Sequence, residues 1–425
     1  MGLKMQLDTA CKGYPQHLPP IALKDAGKQG WNLLQGALSF PLAVLKDSAL
    51  EHNLRWMSDF CQSRGLNIAP HGKTTMSPEL YARQIAAGAW GISFANVFQA
   101  GVGARHGVRR IIIANQVMQA VDLDSLAALL KKHADLQLYF LVDSMAQLRM
   151  IEAWRAARSA DTVFTVLLEL GIAGKRTGCR DHAQALELAR AVRQSAATRL
   201  AGVECYEGAL ATCNHEHDRQ SVAALMHRVQ QLALACEAEN LFENDEVLLT
   251  AGGSAIFDLV AEHLHPHLQH PTRGILRSGC YLTHDHVQYR RHLQCIGERL
   301  NLRETLRPAL EVICIVQSCP EPGLAILTMG KRDVSYDLDL PVPQWHAKLG
   351  DSQTQPVPAH WTITGLNDQH AYLRFDAQAP AHEQPVVGGL IGSGISHPCT
   401  TFDKWRWMPV VNDSYHVTDA VSVNF

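Results

Sequence analysis

No stretch of this sequence approaches the roughly 20 consecutive apolar residues that a membrane-crossing helix needs. Its first residues, Met1 to Asp8, carry no apolar core of a secretory signal. Lys and Arg are dispersed and the formal net charge is -3, so neither a nucleic acid nor an anionic membrane surface is an expected partner. Internal repeats and low-complexity segments are absent. The 11 cysteines are an odd number without an export signal, and most stand alone in apolar segments, as Cys61, Cys205 and Cys314 do. They read as free thiols behaving as small hydrophobes in a reducing cytoplasm, not as a disulfide framework.

What is present describes an ordinary globular chain, with 47% hydrophobic and 19% charged residues. At 425 residues it is long enough for two or more domains. From about residue 40 to 285 short apolar runs alternate with amphipathic segments. The runs include Leu42–Leu45, Asn67–Ala69, Ile92–Phe94, Ile111–Ala114, Leu136–Val142, Val163–Leu170, Gly202–Tyr206, Val247–Thr250 and Ile275–Leu282. Between them, residues such as Leu50, Leu54, Met57 and Cys61 recur at helical spacing. Strands alternating with helices imply βαβ units around a parallel sheet. These are nine candidate strands, one more than a closed barrel holds, so the first belongs elsewhere, in a second domain. After about residue 290, strand-like runs follow one another with Pro, Gly and Asp turns and no long helix, which predicts a mainly β domain.

Three short segments carry chemistry. Pro70-His71-Gly72-Lys73-Thr74-Thr75 lies at the end of a short predicted strand, where barrel enzymes place their reactive groups. A partly desolvated lysine there can form an imine with an aldehyde cofactor. Thr250-Ala251-Gly252-Gly253-Ser254 is a small-residue turn between strand and helix, a shape that offers backbone N–H groups to an anion. His397-Pro398-Cys399 spaces an imidazole and a thiol two residues apart, on one side if the segment is extended, and that pair suits zinc. Four further histidines, His263, His265, His267 and His270, read as a helix end and an exposed loop. His370 is a candidate pocket residue.

Together these segments resemble the fold-type III, alanine racemase-like pyridoxal phosphate (PLP) enzymes. The similarity is to the branch of D-serine dehydratases, D-threonine aldolases and proteins called amino acid deaminases, and it extends from about residue 38 to 425. In that branch Pro-His-x-Lys-Thr carries the PLP lysine, and Pro70 to Thr74 match it, although Ala69 and Thr75 replace the flanking Arg and His of many members. The resemblance implies a TIM-like (β/α)8 PLP barrel at 38–288 and a predominantly β domain made of 1–37 and 289–425. It implies Lys73 and His71 as catalytic residues. Gly252, Gly253, Ser254 and Tyr281 (of Gly279-Cys280-Tyr281) would hold the phosphate, with Arg176 and Tyr206 at the cofactor. His397 and Cys399 would hold a divalent metal, zinc by ligand type. A homodimer with shared active sites is also implied.

The expected activity follows from the leaving group. Expelling a β-hydroxyl needs a Lewis acid, which PLP does not provide. A PLP- and metal-dependent dehydratase acting on a D-β-hydroxy amino acid such as D-serine is therefore the expected enzyme. Retro-aldol cleavage to glycine and an aldehyde uses the same parts. Within the resemblance, His-x-Cys accompanies dehydratases and His-x-Asp accompanies aldolases. A non-catalytic PLP-binding protein and a metal-dependent barrel hydrolase are the alternatives of other classes.

Overall fold

The computed structural model describes residues 5–425. Eight parallel strands follow one another around a barrel: Asn67–Ile68, Ile92–Phe94, Arg110–Gln116, Gln137–Val142, Phe164–Leu170, Thr198–Cys205, Val247–Ala251 and Thr272–Leu276. Their near-continuous apolar runs suit strands covered on both faces. The seam between the first two is narrow. It consists of Trp90 N–H to the Ile68 carbonyl (2.8 Å), Ser93 N–H to the Pro70 carbonyl (2.9 Å) and Ser93 Oγ to the Ala69 carbonyl (2.7 Å). Inside the barrel Ala69, Trp90, Ile112, Tyr139, Leu141, Leu167, Ala201, Leu248 and Ile275 form a separate apolar layer. That layer fills the barrel interior, and the C-terminal ends of the strands are where barrel enzymes place their sites.

The helices have local causes. In Asp47–Gln62 the residues Leu50, Leu54, Met57 and Cys61 are all buried, as their spacing predicts. Asn96, Ser144, Asp181 and Asn214 cap the helices they precede by accepting backbone N–H bonds.

Leu42–Lys46 is the surplus strand. It pairs antiparallel with Leu310–Glu321 and parallel with Trp407–Val411, so it belongs to the second sheet and the barrel sheet begins only at Asn67. A barrel beginning at residue 38 would have counted this strand as its own, so the 38–288 bound is corrected here. That second sheet is largely antiparallel and includes Val342–Ala347, Leu390–Gly394, Ala371–Arg374 and Thr362–Leu366. The barrel plus β domain is the architecture the resemblance implied. No disulfide links the cysteines, all of which are free. Among the described residues no helix is long and apolar enough to cross a membrane.

One element joins the domains and positions the site. Helix Gln288–Leu300 follows the last barrel strand, and the Asp285 carboxylate accepts N–H bonds from Val287 (2.9 Å) and Tyr289 (3.0 Å) at its start. Its far end is held by the Arg299 guanidinium, which meets Asp258 through two bonds of 2.7 and 2.8 Å, both side chains buried. Just before it, burial pushes His284 and His286 down to about 4.

Both rings stay neutral in the folded chain while an unfolded histidine takes a proton near pH 6.5. Above pH 6.5 neither state is protonated and nothing is lost. As pH falls from 6.5 towards 4, only the unfolded chain gains protons, so stability declines, by about 3 kcal/mol for the fully buried His284. Urea unfolding across this range is expected to show that slope, and His284→Asn to flatten it.

Candidate active site

A cavity of about 580 Å³ opens at the C-terminal mouth of the barrel, a size typical of small-molecule sites. Lys73 lies in the tight turn Gly72–Thr74 that follows the first barrel strand. The turn is fixed from several sides. Tyr81 donates its hydroxyl to the Gly72 carbonyl (2.9 Å), and Met76 N–H bonds the same oxygen (2.9 Å). A Cβ on Gly72 would stand 2.7 Å from both Ile92 and Phe94, which explains the glycine. Lys73 itself is half-buried and faces the cavity with no ion pair among the described residues. His71, two residues before it, lines the same space, and its Nδ1 is buried without a partner. Burial, then the positive charges of Lys73, Arg277 and Arg176, push this imidazole well below its ordinary pKa, so it is neutral.

The floor is polar. Strand register sets Glu169 beside Glu204, and Glu204 beside Thr250. Arg277 reaches across them from the end of the last strand, binding Glu204, the Thr250 hydroxyl (2.8 Å) and the Cys205 carbonyl (3.0 Å). Burial raises the Glu169 pKa and raises Glu204 to about 8. Arg176 lies over the Tyr206 ring at 4.8 Å, a cation–π contact on the cavity wall.

The glycine turn differs from the expected open anion seat. Gly252 N–H (2.8 Å) and Gly253 N–H (2.6 Å) both donate to the buried Glu207 carboxylate. The carboxylate therefore braces the turn. Gly252, Gly253 and Ser254 all still line the cavity, where Ser254 Oγ accepts from Cys280 N–H (3.1 Å).

The β domain supplies the lid. His397 donates Nδ1–H to Asp337 at 2.6 Å, the carboxylate contact that metal-binding histidines commonly make. Burial disfavours its protonation, but the Cys399 thiolate and Asp337 outweigh that and raise it to about 9. Cys399 is held well below the usual thiol range by hydrogen bonding from Cys280 and by His397, against its burial. The Cys399 Sγ lies 3.4 Å from Thr74 Oγ1. Lysine loop and His-x-Cys thus meet within one chain. A thiolate beside an oriented imidazole fits a divalent metal, although among the described residues no three His, Cys, Asp or Glu side chains stand ready as a complete cage. A free amine, an orphaned imidazole nitrogen and a cavity of this volume fit PLP.

Of the residues singled out in the sequence, His71, Lys73, Arg176, Tyr206, Gly252, Gly253, Ser254, His397 and Cys399 line this one cavity. Tyr281 does not. It is buried behind the wall, where Gln84 Nε2 donates to its hydroxyl (3.3 Å), and Cys280 takes the cavity-facing position. A phosphate contact for Tyr281 is therefore ruled out by its direction. His370 lies in a separate surface groove with Lys331 and Asn367. His265 and His267 are exposed, as expected. Tyr289, Gln288 and Asp337 escaped the sequence reading. The first two ride on a helix whose face is set by tertiary packing, and Asp337 reaches His397 from a distant loop.

Gly279 gives a direct test of how tightly the lysine loop is seated. A Cβ there would stand 2.7 Å from the His71 carbonyl and Cβ and 2.9 Å from Thr74 Oγ1. Gly279→Ala is expected to push the loop outwards, costing about 1–3 kcal/mol in stability. Turnover should fall about 10²-fold through the misplaced lysine, read by thermal melting and kcat.

Comparisons with known proteins agree with this picture. Residues 309–411 match the domain family described as "Putative serine dehydratase domain". The chain is 26% identical to a D-threonine aldolase of Arthrobacter sp over 377 residues, 88% of this chain and 89% of the relative. It is also 26% identical to a D-threo-3-hydroxyaspartate dehydratase of Delftia sp. (strain HT23) over 382 residues, 86% and 92% of the two. A cysteine-to-alanine variant of a dehydratase of that name has been solved in a metal-free form. The crystal structure of a D-threonine aldolase from Filomicrobium marinum superposes with a TM-score of 0.75 at 24% identity, covering 93% of this chain and 97% of that one. The resemblance drawn from the lysine and His-x-Cys motifs is thereby borne out.

Proposed function

We propose that the protein is a PLP- and metal-dependent lyase that converts a D-β-hydroxy amino acid such as D-serine to a 2-oxo acid and ammonia. The observation that carries this reading is the meeting of two chemistries over one cavity: the free Lys73 amine, and His397 with Cys399, linked through Thr74 at 3.4 Å. Bound at Lys73, PLP would supply the electron sink that acidifies the substrate Cα–H, and a zinc-like cation on His397 and Cys399 would supply Lewis acidity.

The chain's own residues do the rest. Lys73, whose amine faces the cavity without an ion pair among the described residues, would take the Cα proton. Neutral His71 would stand beside it as a hydrogen-bonding group, its Nδ1 being unpartnered. Arg176, which has no ion pair among the described residues, orients the substrate carboxylate. Glu207 keeps the glycine turn rigid, and the Asp337 contact holds the His397 ring at the cavity wall. Loss of the β-hydroxyl as water leaves an enamine, which hydrolyses after release.

Cleavage to glycine and an aldehyde is the second reading, favoured by the aldolases among the relatives. Cys399 in place of an aspartate favours elimination. Incubation with D-serine and D-threonine should yield pyruvate and 2-oxobutyrate; glycine without oxo acid would overturn the dehydratase reading. The proposal includes a cytoplasmic homodimer, which sedimentation of the PLP-loaded protein tests.

A further inference from the structure

We propose that Glu204 is the residue that meets the pyridine nitrogen of PLP, and that it gives its proton to that nitrogen when the cofactor binds. This rests on the PLP-dependent reading above.

Barrel register puts Glu204 on the floor of the cavity. Glu169, Glu204 and Thr250 stand level on three adjacent strands, two residues beyond Leu167, Gly202 and Leu248. Side chains two apart share a face, and Leu167 and Leu248 belong to the apolar layer inside the barrel. The three polar side chains therefore form the next layer up, and Glu169 and Glu204 line the cavity. Arg277 binds Glu204 Oε1, while Glu204 Oε2 is buried with no partner. A buried oxygen left unpaired is costly, and a ligand atom seated on the floor would recover the loss.

The order of the strands selects the ring nitrogen. In PLP the nitrogen lies across the ring from the carbon that a lysine amine takes, and the arm bearing the phosphate comes between them. Round the barrel from Lys73 on the first strand, the Gly252–Ser254 turn of the seventh comes before Glu204 on the sixth. The three contacts follow one another in the same sequence.

Charge favours the transfer. Arg277 is one positive charge among three buried carboxyl groups, Glu169, Glu204 and Glu207. Burial, against the pull of Arg277, leaves Glu204 protonated at neutral pH in the empty site. As the nitrogen seats, the Oε2–H bond breaks, the proton joins the nitrogen lone pair, and the bonding electrons stay on the oxygen. The carboxylate then stands between two cations, the guanidinium and the pyridinium. Tyr206 is a poorer donor, because a phenol is a weaker acid and burial weakens it further. A positive nitrogen would strengthen the electron sink that acidifies Cα–H.

PLP labelled with nitrogen-15 in its ring, loaded into the whole protein at pH 7, reads the nitrogen directly by NMR. The wild type should give the pyridinium signal. Glu204→Gln should move it to the free-pyridine position with the cofactor still bound, since the amide accepts from Arg277 and has no proton to give up. Tyr206→Phe should leave the signal at the pyridinium position. With D-serine, Glu204→Gln should lower kcat about 10²-fold and leave KM within about threefold, because Glu204 lies beneath the cofactor and away from the substrate. The double variant Glu204→Leu, Arg277→Leu leaves neither charge unpaired. It should show the same signal move and replaces Glu204→Gln if thermal melting shows that variant unfolded. A free-pyridine signal in the wild type, or a pyridinium signal that survives both changes at Glu204, would overturn the proposal. A wild type that takes up no PLP would overturn the PLP-dependent reading itself, and this proposal with it.

Discussion

Lys73→Ala is expected to give a folded, colourless protein whose turnover is lower by about four orders of magnitude or more. The size of the effect comes from the two tasks given to one amine. In the proposed mechanism it anchors PLP and so would position the cofactor, and as the base at Cα it would contribute a proton transfer worth about 10²–10⁴ by itself. Stability should change by less than about 0.5 kcal/mol, because Lys73 makes no ion pair and is only half-buried. That contrast separates a chemical role from a structural one. Lys73→Arg should be as inactive, since a guanidinium does not give up its proton. Borohydride treatment followed by peptide mapping should fix the cofactor on Lys73 in the wild type. A Lys73→Ala protein that stays yellow and turns over would remove the lysine from the mechanism.

Arg299→Leu is expected to be the most destabilising single change, at about 3–5 kcal/mol, because it leaves the buried Asp258 carboxylate with no counter-charge. The pair is closed on both sides, with side-chain exposures of 3% and 1%. Its loss should also reach the active site, since the same helix begins with Gln288 and Tyr289 at the cavity wall. The double variant Asp258→Leu, Arg299→Leu removes both charges and should recover most of the loss. Urea unfolding of the two single variants and the double one measures the coupling. A double variant no more stable than the singles would show that the helix depends on these side chains for packing rather than for charge.

The sequence was most readable where a function compresses into a few neighbouring residues. Lys73 with His71, and His397 with Cys399, declare themselves because strand ends and two-residue spacing place them without reference to the rest of the chain. Strand order in the barrel was readable for a related reason, since strands buried on both faces are continuous apolar runs. That same signal misled at Leu42–Lys46, which is equally buried but lies in the other sheet. Only the surplus in the strand count revealed it. Tyr281 failed for a different cause. The chain leaves the last strand at Leu276, and alternation no longer says which of Cys280 and Tyr281 faces inward. Glu207 was invisible as a brace, because its partners Gly252 and Gly253 are contributed by the next strand.

The placement of Leu42–Lys46 also has a temporal meaning. Its sheet partners are Leu310–Glu321 and Trp407–Val411, and Ser48 just beyond it bonds Asp413, 365 positions later. Ribosomes add about 5–20 residues per second. This early strand therefore waits on the order of tens of seconds with its edges unsatisfied while the whole barrel is synthesised. During that interval the nascent barrel has its lysine but no lid, and Leu42–Leu45 is an uncovered apolar segment of the kind that chaperones bind. The lid and the last partner of that strand arrive together, within residues 397–411, so the site closes in the same step that ends the exposure.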